Sequence, residues 1–341
     1  MRPLTVLISS AGRRAELLRI FRDVVSDMAP GSRVLATDSS WYSSAFHLAD
    51  EGFIVPRVTD PELVPQLLAL CEKHAVDVVV PTTDREMPVW VGNRERFEAA
   101  GTRVALSAAE VIAIAADKQA TQDWLTGHGF PTVRQASPAA ALADPAAWPF
   151  PLMAKPRFGS ASEGVGLVRN RDELELVAVR DAARPPMSDG TRGDMVVQSV
   201  AGGEEHTIDV FVGSDGRCRC AVPRRRLEVR GGEVSKAVTV RSAELIDLAH
   251  DLCHALPGPY GVLNFQVFAD EETGQLAVIE LNPRFGGGFP LSYQAGADYP
   301  RWLLEDVRGL PSGARPDGWR EGLVMLRYDA AVFVDRAQAP A

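Results

Sequence analysis

No stretch of this sequence approaches the ~20 consecutive apolar residues a membrane-spanning helix needs, and no pair of its four cysteines, Cys71, Cys218, Cys220 and Cys253, has the CxxC spacing of a common metal site. Nothing in the sequence suggests a secreted disulfide framework, and reduced structural thiols are expected. Basic residues are in deficit: 36 Lys and Arg against 45 Asp and Glu leave a net charge of -9. Nucleic acid is therefore a poor main partner, because phosphate-backbone binding needs a basic surface. The six histidines form no metal-spaced pair, and His206 reads as a packing or surface polar residue. The N-terminal MRPLTVLISSAGRR is a short apolar strand feeding a turn and lacks a small-residue cleavage site, so a cytoplasmic protein is expected.

What is present is a globular composition, 46% hydrophobic and 24% charged, over 341 residues. That length exceeds what one core usually supports, so two or three lobes are expected. Strand-like runs at Thr5–Ser9, Arg33–Thr37, Val76–Val80 and Arg103–Leu106 alternate with helical patterns such as Leu63–His74, which predicts a parallel α/β sheet. The turn Ser9–Arg14 follows the first strand and opens a helix. It could present backbone N–H groups to an anion, or it could simply close a βα unit, and it lacks GxGxxG. Asp38, at the end of the second strand, is open to the same two readings. The Ala- and Pro-rich stretch Ala136–Pro151 reads as a linker or surface loop.

Beyond it, the strand Leu152–Lys155 leads into a Gly/Ser loop, Arg157 to Gly166, whose small residues permit close backbone approach to phosphate oxygens. A hairpin tip without a ligand has a similar composition; Lys155 beside the loop favours an anion. Met195–Ser199 is a further strand, and Glu204, Glu205 and His206 precede the alternating strand Thr207–Val212. An apolar helix runs from Ser242 to Leu256, and then comes the run Asn264–Gly288. There Asn264–Phe268 and Leu276–Leu281 flank the turn Glu271–Gly274, which describes a β-hairpin. Side chains two apart share a strand face, so Glu280 and Asn282 point one way, and so does Arg284 if the extended path continues past Pro283. A carboxylate and an amide oxygen suit Mg²⁺, although a solvated sheet edge can look similar. The basic run Pro223–Arg230, with Glu233 and Lys236 following, offers cations to an anionic substrate, or is a solvated charged loop. Asp209 could orient a basic group or could equally be structural. The glycines after Phe285 predict a tight turn where bulky side chains would block approach.

In order, Asp117-Lys118, Met153-Ala154-Lys155-Pro156 with its glycine loop, Gln198 to Val210, Gln266, and Glu280 to Arg284 resemble the ATP-grasp superfamily. The likeness is to the large subunit of carbamoyl phosphate synthetase and to single-unit carboxylate-amine ligases, and VIELNPR fourteen residues after Gln266 is its specific part. The resemblance implies an N-terminal parallel α/β domain at 1–112, an ATP-grasp small lobe at 113–203 and a large lobe at 204–341. It implies ATP contacts from Lys118 and Lys155, closure of Gly159, Ser160, Ser162 and Gly164 over the phosphates, and an adenine hinge at Gln198, Ser199 and Val200. Gln198 stands where the family has an acidic residue; its amide carbonyl can still accept from adenine. Glu205 corresponds to a ribose-binding carboxylate, Gln266 to a metal-associated residue, Glu280 and Asn282 to Mg²⁺ ligands with Mn²⁺ as an alternative ion, and Arg284 to the group that stabilises an acyl phosphate. Arg226 and Lys236 are the further candidate catalytic cations.

The activity so implied is ATP- and Mg²⁺-dependent joining of a carboxylate, of an amino acid or similar small acid, to an amine, through an acyl phosphate and with release of ADP and phosphate. A kinase-like reaction passing the acyl phosphate to a thiol and a non-catalytic nucleotide-binding protein are the alternatives. Small-molecule acid and amine partners are expected, with no nucleic acid and no membrane; a homodimer is left open.

Overall fold

A computed structural model of the chain describes residues 2–159, 164–183 and 195–338. The first sheet is parallel: β1 (Thr5–Ser9), β2 (Arg33–Asp38), β3 (Glu51–Ile54), β4 (Val78–Pro81) and β5 (Arg103–Val104) lie in the order β3-β2-β1-β4-β5. The expected α/β pattern is thus observed. β1 and β4 are buried almost throughout, as central strands covered on both faces must be. The helix Ala15–Met28 turns Leu17, Leu18, Phe21, Val24, Val25 and Met28 inward at three- and four-residue spacing, the stripe an amphipathic helix presents to a core.

A smaller antiparallel sheet follows, β6 (Gln135–Ala136), β7 (Leu152–Pro156), β8 (Gly166–Val168) and β9 (Met195–Ser199), in the order β6-β9-β7-β8. The stretch expected as a loop at Ala136–Pro151 contains a helix, Pro138–Ala143, and a 3₁₀ turn, Pro145–Ala147. Ser137 caps that helix by accepting from the Ala140 N–H, Pro138 occupies the first turn, and the alanines that suggested a linker are the best helix formers.

The third sheet has six antiparallel strands: β10 (Glu204–Val212), β11 (Cys218–Arg230), β12 (Glu233–Thr239), β13 (Gly261–Asp270), β14 (Gln275–Asn282) and β15 (Val324–Leu326), ordered β14-β13-β10-β11-β12-β15. The helix Ala243–Ala255 covers one face with Leu245, Leu248, Ala249 and Leu252. Gly203, ahead of β10, has φ of 80°, and a Cβ there would lie 2.1 Å from the Ala269 carbonyl oxygen, so only glycine fits this turn.

The first and third sheets share one core. Phe21 meets Phe285 edge to face at 5.6 Å, Phe285 meets Phe289 at 4.7 Å, and Tyr299 and Trp302 continue the aromatic cluster. Beneath the glycine turn after β14, Arg224 and Asp209 form an ion pair 1% and 0% exposed, at 2.7 and 2.9 Å; Ser292 also donates to Asp209, at 2.6 Å. A Cβ on Gly288 would lie 2.3 Å from Arg224 Nη1, so the turn closes only over a glycine. All four cysteines are free.

Asp209→Ala would leave the Arg224 guanidinium buried without a counter-charge, and unfolding in urea should show a loss of ~3–5 kcal/mol, whereas Asp209→Leu with Arg224→Met should recover most of it. A loss below ~1 kcal/mol for the single variant would mean that water reaches the pair.

Candidate functional site

The three sheets surround a cavity of about 1300 Å³. Single-ligand pockets run to ~300–1,000 Å³, so this one has room for two ligands. Its walls come from loops of the parallel sheet, from β7 and β9, and from β10, β11, β13, β14 and the segment after β15.

The β13–β14 hairpin forms as its pattern predicts, with Gln266 opposite Glu280 and Asn264 opposite Asn282, all four lining the cavity. Asn264 Nδ2 donates to the Arg284 carbonyl at 2.9 Å and ties the chain beyond Pro283 back to β13. Glu280 has no hydrogen-bond or ion-pair partner among the described residues. Burial raises its carboxyl above the ordinary 4.5; Lys118, Arg284 and Lys155 pull the other way, and Asp84 adds to the rise. An unpaired, largely desolvated carboxylate beside an amide oxygen, with cations near but not touching, is a donor set that fits a divalent ion completing its shell with water and phosphate oxygens. Asn282 Oδ1 accepts from Arg284 Nη2 at 3.2 Å.

Arg284 is held from across the domain boundary. Its Nε and Nη2 donate to the two oxygens of Asp84 at 2.8 and 2.9 Å, a bidentate pair. Burial lowers the proton affinity of Arg284, but the Asp84 carboxylate outweighs it and the net direction is up. Sequence reasoning missed Asp84. Its only signal is position, just past the carboxyl end of β4, where open α/β sheets receive ligands. Buried Glu86 fixes that loop by accepting from the backbone N–H groups of Thr82 and Thr83 at 2.9 and 3.0 Å.

The neighbouring loop, Ser9–Arg14, enters the same cavity. Asp38 accepts from the Gly12 N–H at 2.8 Å, Thr82 Oγ1 donates to the carbonyls of Ser9 and Ser10, and Gly12 takes a φ of 50°. These bonds set Arg14 at the mouth of the helix Ala15–Met28. Burial first, and Arg284 second, pull Arg14 from 12.5 down to about 10.

Lys118 and Lys155 face the cavity from the other side. Asp117 caps the helix Lys118–Gly127 and receives Arg157 at 2.7 and 2.6 Å, which binds the start of that helix to the end of β7. Lys118 Nζ donates to the Gly159 carbonyl at 2.9 Å. Both lysines are lowered, chiefly by burial, while Glu280 opposes the shift. Gly159 and Gly164 have φ of 108° and 71°; Ser160 and Ser162 lie outside the described residues. Gln198 is buried, and its Nε2 donates to Gln135 Oε1 at 2.7 Å; Ser199 Oγ accepts from the Arg134 N–H, and Val200 is exposed on the cavity wall.

In the basic run, alternation separates neighbours. Arg224 and Arg226 line the cavity, whereas Arg225 pairs with Glu204. Arg226 is tied to Glu205 across β10 and β11. Lys236 is not brought to the cavity. A bulge in β11 between Arg226 and Glu228 places Lys236 opposite Glu228, and the two pair at 2.6 Å on an exposed face. Glu233 and Arg327, paired at 2.9 Å, line the cavity in its stead. Nothing in the pattern around Arg327 marks it out.

Comparison with known proteins bears on the fold. Residues 6–105 match the family model "PylC-like, N-terminal domain", and residues 191–328 match "ATP-grasp in the biosynthetic pathway with Ter operon". The carbamoyl phosphate synthase large chain of Thermotoga sp. (strain RQ2) is 24% identical over 286 residues, 79% of this chain; the match spans only 25% of that protein's length. The biotin carboxylase domain of Hydrogenobacter thermophilus 2-oxoglutarate carboxylase, solved with MgADP and bicarbonate, superposes with a TM-score of 0.74 at 16% identity, over 95% of this chain and 74% of that one. N5-carboxyaminoimidazole ribonucleotide synthetase from Thermotoga maritima gives 0.65 at 18% identity, over 91% of this chain and 77% of that one. At such identities the two structures establish the fold alone. The chain carries a PylC-like N-terminal domain ahead of an ATP-grasp domain.

Proposed function

We propose that this protein is an ATP- and Mg²⁺-dependent carboxylate-amine ligase that activates a small acid as its acyl phosphate and releases ADP and phosphate. The observation that carries the reading is Glu280: an unpaired carboxylate next to Asn282, with Lys118 and Lys155 on one side and Arg284 on the other. In this reading Lys118 and Lys155 bind ATP phosphates, the glycine loop from Gly159 to Gly164 covers them, Gln198 to Val200 receive the adenine edge, and Glu205 faces the ribose. Residues 113–203 then form the small lobe and 204–341 the large one. Glu280 and Asn282, with Gln266 beside them, would hold Mg²⁺, which supplies charge neutralisation between phosphate oxygens.

The chemical demand is to bring a carboxylate onto a γ-phosphate, anion against anion. Lys118, Lys155 and Arg284 supply positive charge fixed in place before the reaction, where it costs no reorganisation. Arg284 faces the transferred phosphoryl group, and its bidentate hold on Asp84 keeps the guanidinium plane set. Attack by an amine on the acyl carbon then forms the C–N bond and expels phosphate, and the walls of the cavity limit hydrolysis by water.

Incubation of the protein with ATP, Mg²⁺ and pairwise panels of small acids and amines, followed by mass spectrometry, should show ADP and phosphate formed only when both substrates are present. AMP with pyrophosphate would rule out the acyl-phosphate route, and ADP release that needs an acid but no amine would point to transfer to another acceptor such as a thiol.

Glu280→Gln should lower turnover at least ~10²-fold, in the range seen when one transition-state electrostatic contact is removed. It carries a second, activity-independent signature. With the folded-state value raised above 4.5, the stability contributed by the bound proton is present below pH 4.5 and lost as pH rises through the raised value. At neutral pH the metal-free protein therefore bears a charged Glu280 at a cost. The glutamine variant should melt higher than the parent without metal, yet gain less on addition of Mg²⁺ and ADP. A lower melting point without metal would show that the surrounding cations outweigh desolvation.

A further inference from the structure

Two groups of charges line the cavity and meet at Arg284. Glu280, Lys118, Lys155 and Glu205 act on one another at the phosphate end, while Arg14 feels Arg284, Glu233, Asp84 and Arg327. In the second group Arg284 is matched by Asp84, Arg327 by Glu233, and Arg224 by Asp209. Arg14 lines the cavity, half-buried, and has no carboxylate within ion-pair distance among the described residues.

The space in front of it is shaped by an absent side chain. A Cβ on Gly287 would sit 3.3 Å from Arg14 Nη1 and 3.6 Å from Glu233 Oε2. Unlike Gly12 or Gly203, Gly287 is not among the residues in the left-handed region, so its backbone does not require glycine. What glycine provides at 287 is a gap with a guanidinium on one side and a carboxylate on the other, directly beyond the strand that carries Glu280 and Asn282. Glu233 already accepts from Arg327 at 2.9 Å and has Arg13 at 3.8 Å from its other oxygen, but a carboxylate has about four acceptor positions and can take a further donor.

We propose that this gap receives the charged head of an α-amino acid, its carboxylate on Arg14 and its ammonium toward Glu233. The inference rests on the ligase reading for the chemical step after binding, and it names an α-amino acid as one of the two substrates. A nucleotide phosphate would place two or more negative charges against Glu233. A zwitterion matches both walls of the gap and leaves Lys118 and Lys155 to the phosphates.

Phenylglyoxal tests the assignment without turnover. The reagent attacks unprotonated guanidines, and the lowered proton affinity of Arg14 should make it a fast-reacting arginine, detected by peptide mapping of the full chain loaded with Mg²⁺ and ADP. Free α-amino acids from a panel of both enantiomers should slow modification of Arg14, while their carboxamides and their deaminated analogues should not. In Gly287→Ala the protecting concentration should rise ~10–100-fold, the value of one or two charge-assisted hydrogen bonds, with ADP affinity unchanged. Protection by ATP alone, equal protection by the carboxamides, equal protection by the deaminated acids, or no protection by any amino acid would each overturn the proposal. The ligase reading stands or falls separately. Protection without turnover on any acid and amine would remove the ligase and keep the amino-acid site, whereas turnover with unaltered KM values in Arg14→Gln would do the reverse.

Discussion

The edge-to-face contact of Phe21 with Phe285 sets the arginine side of the cavity, where the first and third sheets meet. Phe21 lies two helical turns beyond Arg14, and Phe285 lies between Arg284 and the glycine turn, so one apolar contact at 5.6 Å sets both arginines relative to each other. Phe289, Tyr299 and Trp302 extend the contact into a cluster that is buried from both sides. Burial of each such side chain stabilises by ~1.5–3 kcal/mol, enough together to keep the parallel sheet on the six-stranded one. Without that docking, Asp84 could not reach Arg284, and Arg14 would face water instead of Gly287.

With the frame fixed, the site concentrates charge in a deliberately unequal way. Arg224 and Asp209, out of water, are joined through Nε and Nη2 and support the glycine turn from below, with Arg224 Nη1 left without a hydrogen-bond partner among the described residues. On the cavity side several charges have no partner of opposite sign within ion-pair distance among the described residues: a carboxylate at Glu280 and, with the opposite sign, Lys118, Lys155 and a guanidinium at Arg14. Each is disfavoured in its ionised form by burial, which is why Glu280 is raised and Arg14 lowered. The folded protein bears that cost before any ligand arrives. A ligand that supplies a cation at one point and an anion at the other recovers it, so affinity is coupled to charge pattern as well as to shape.

How much of this could be read from the amino-acid order depends on whether a residue obeys a period. The β13–β14 hairpin was legible because alternation and the turn at Glu271–Gly274 agree, and alternation puts Glu280 and Asn282 on one face, to which the interstrand register adds Gln266 opposite Glu280. The same rule separates Arg224 and Arg226 from Arg225. It fails at Lys236, because the bulge after Arg226 adds a residue that no side-chain pattern announces. Asp84 and Arg327 sit in segments with no period at all; their positions follow from docking between sheets, a long-range fact. At Ala136–Pro151, proline and alanine were ambiguous between linker and helix, and the Ser137 cap with Pro138 in the first turn decides for the helix.

The lysine side of the cavity is built at the joint between the small sheet and the six-stranded one. Asp117 joins the start of the helix Lys118–Gly127 to Arg157 at the end of β7, the Lys118 backbone N–H donates to the Arg157 carbonyl at 3.1 Å, and Lys118 Nζ holds the carbonyl of Gly159. Lys155 and the first glycine of the loop belong to the small sheet, while the helix that begins at Lys118 packs Leu125 and Trp124 into the core beneath β10, β13 and β14. Lys118 therefore bridges the two sheets: its helix rests on the sheet that carries Glu280, and its Nζ and backbone N–H reach Gly159 and Arg157. Glu280 opposes the effect of burial on both lysines, so one carboxylate acts on cations held from both sheets.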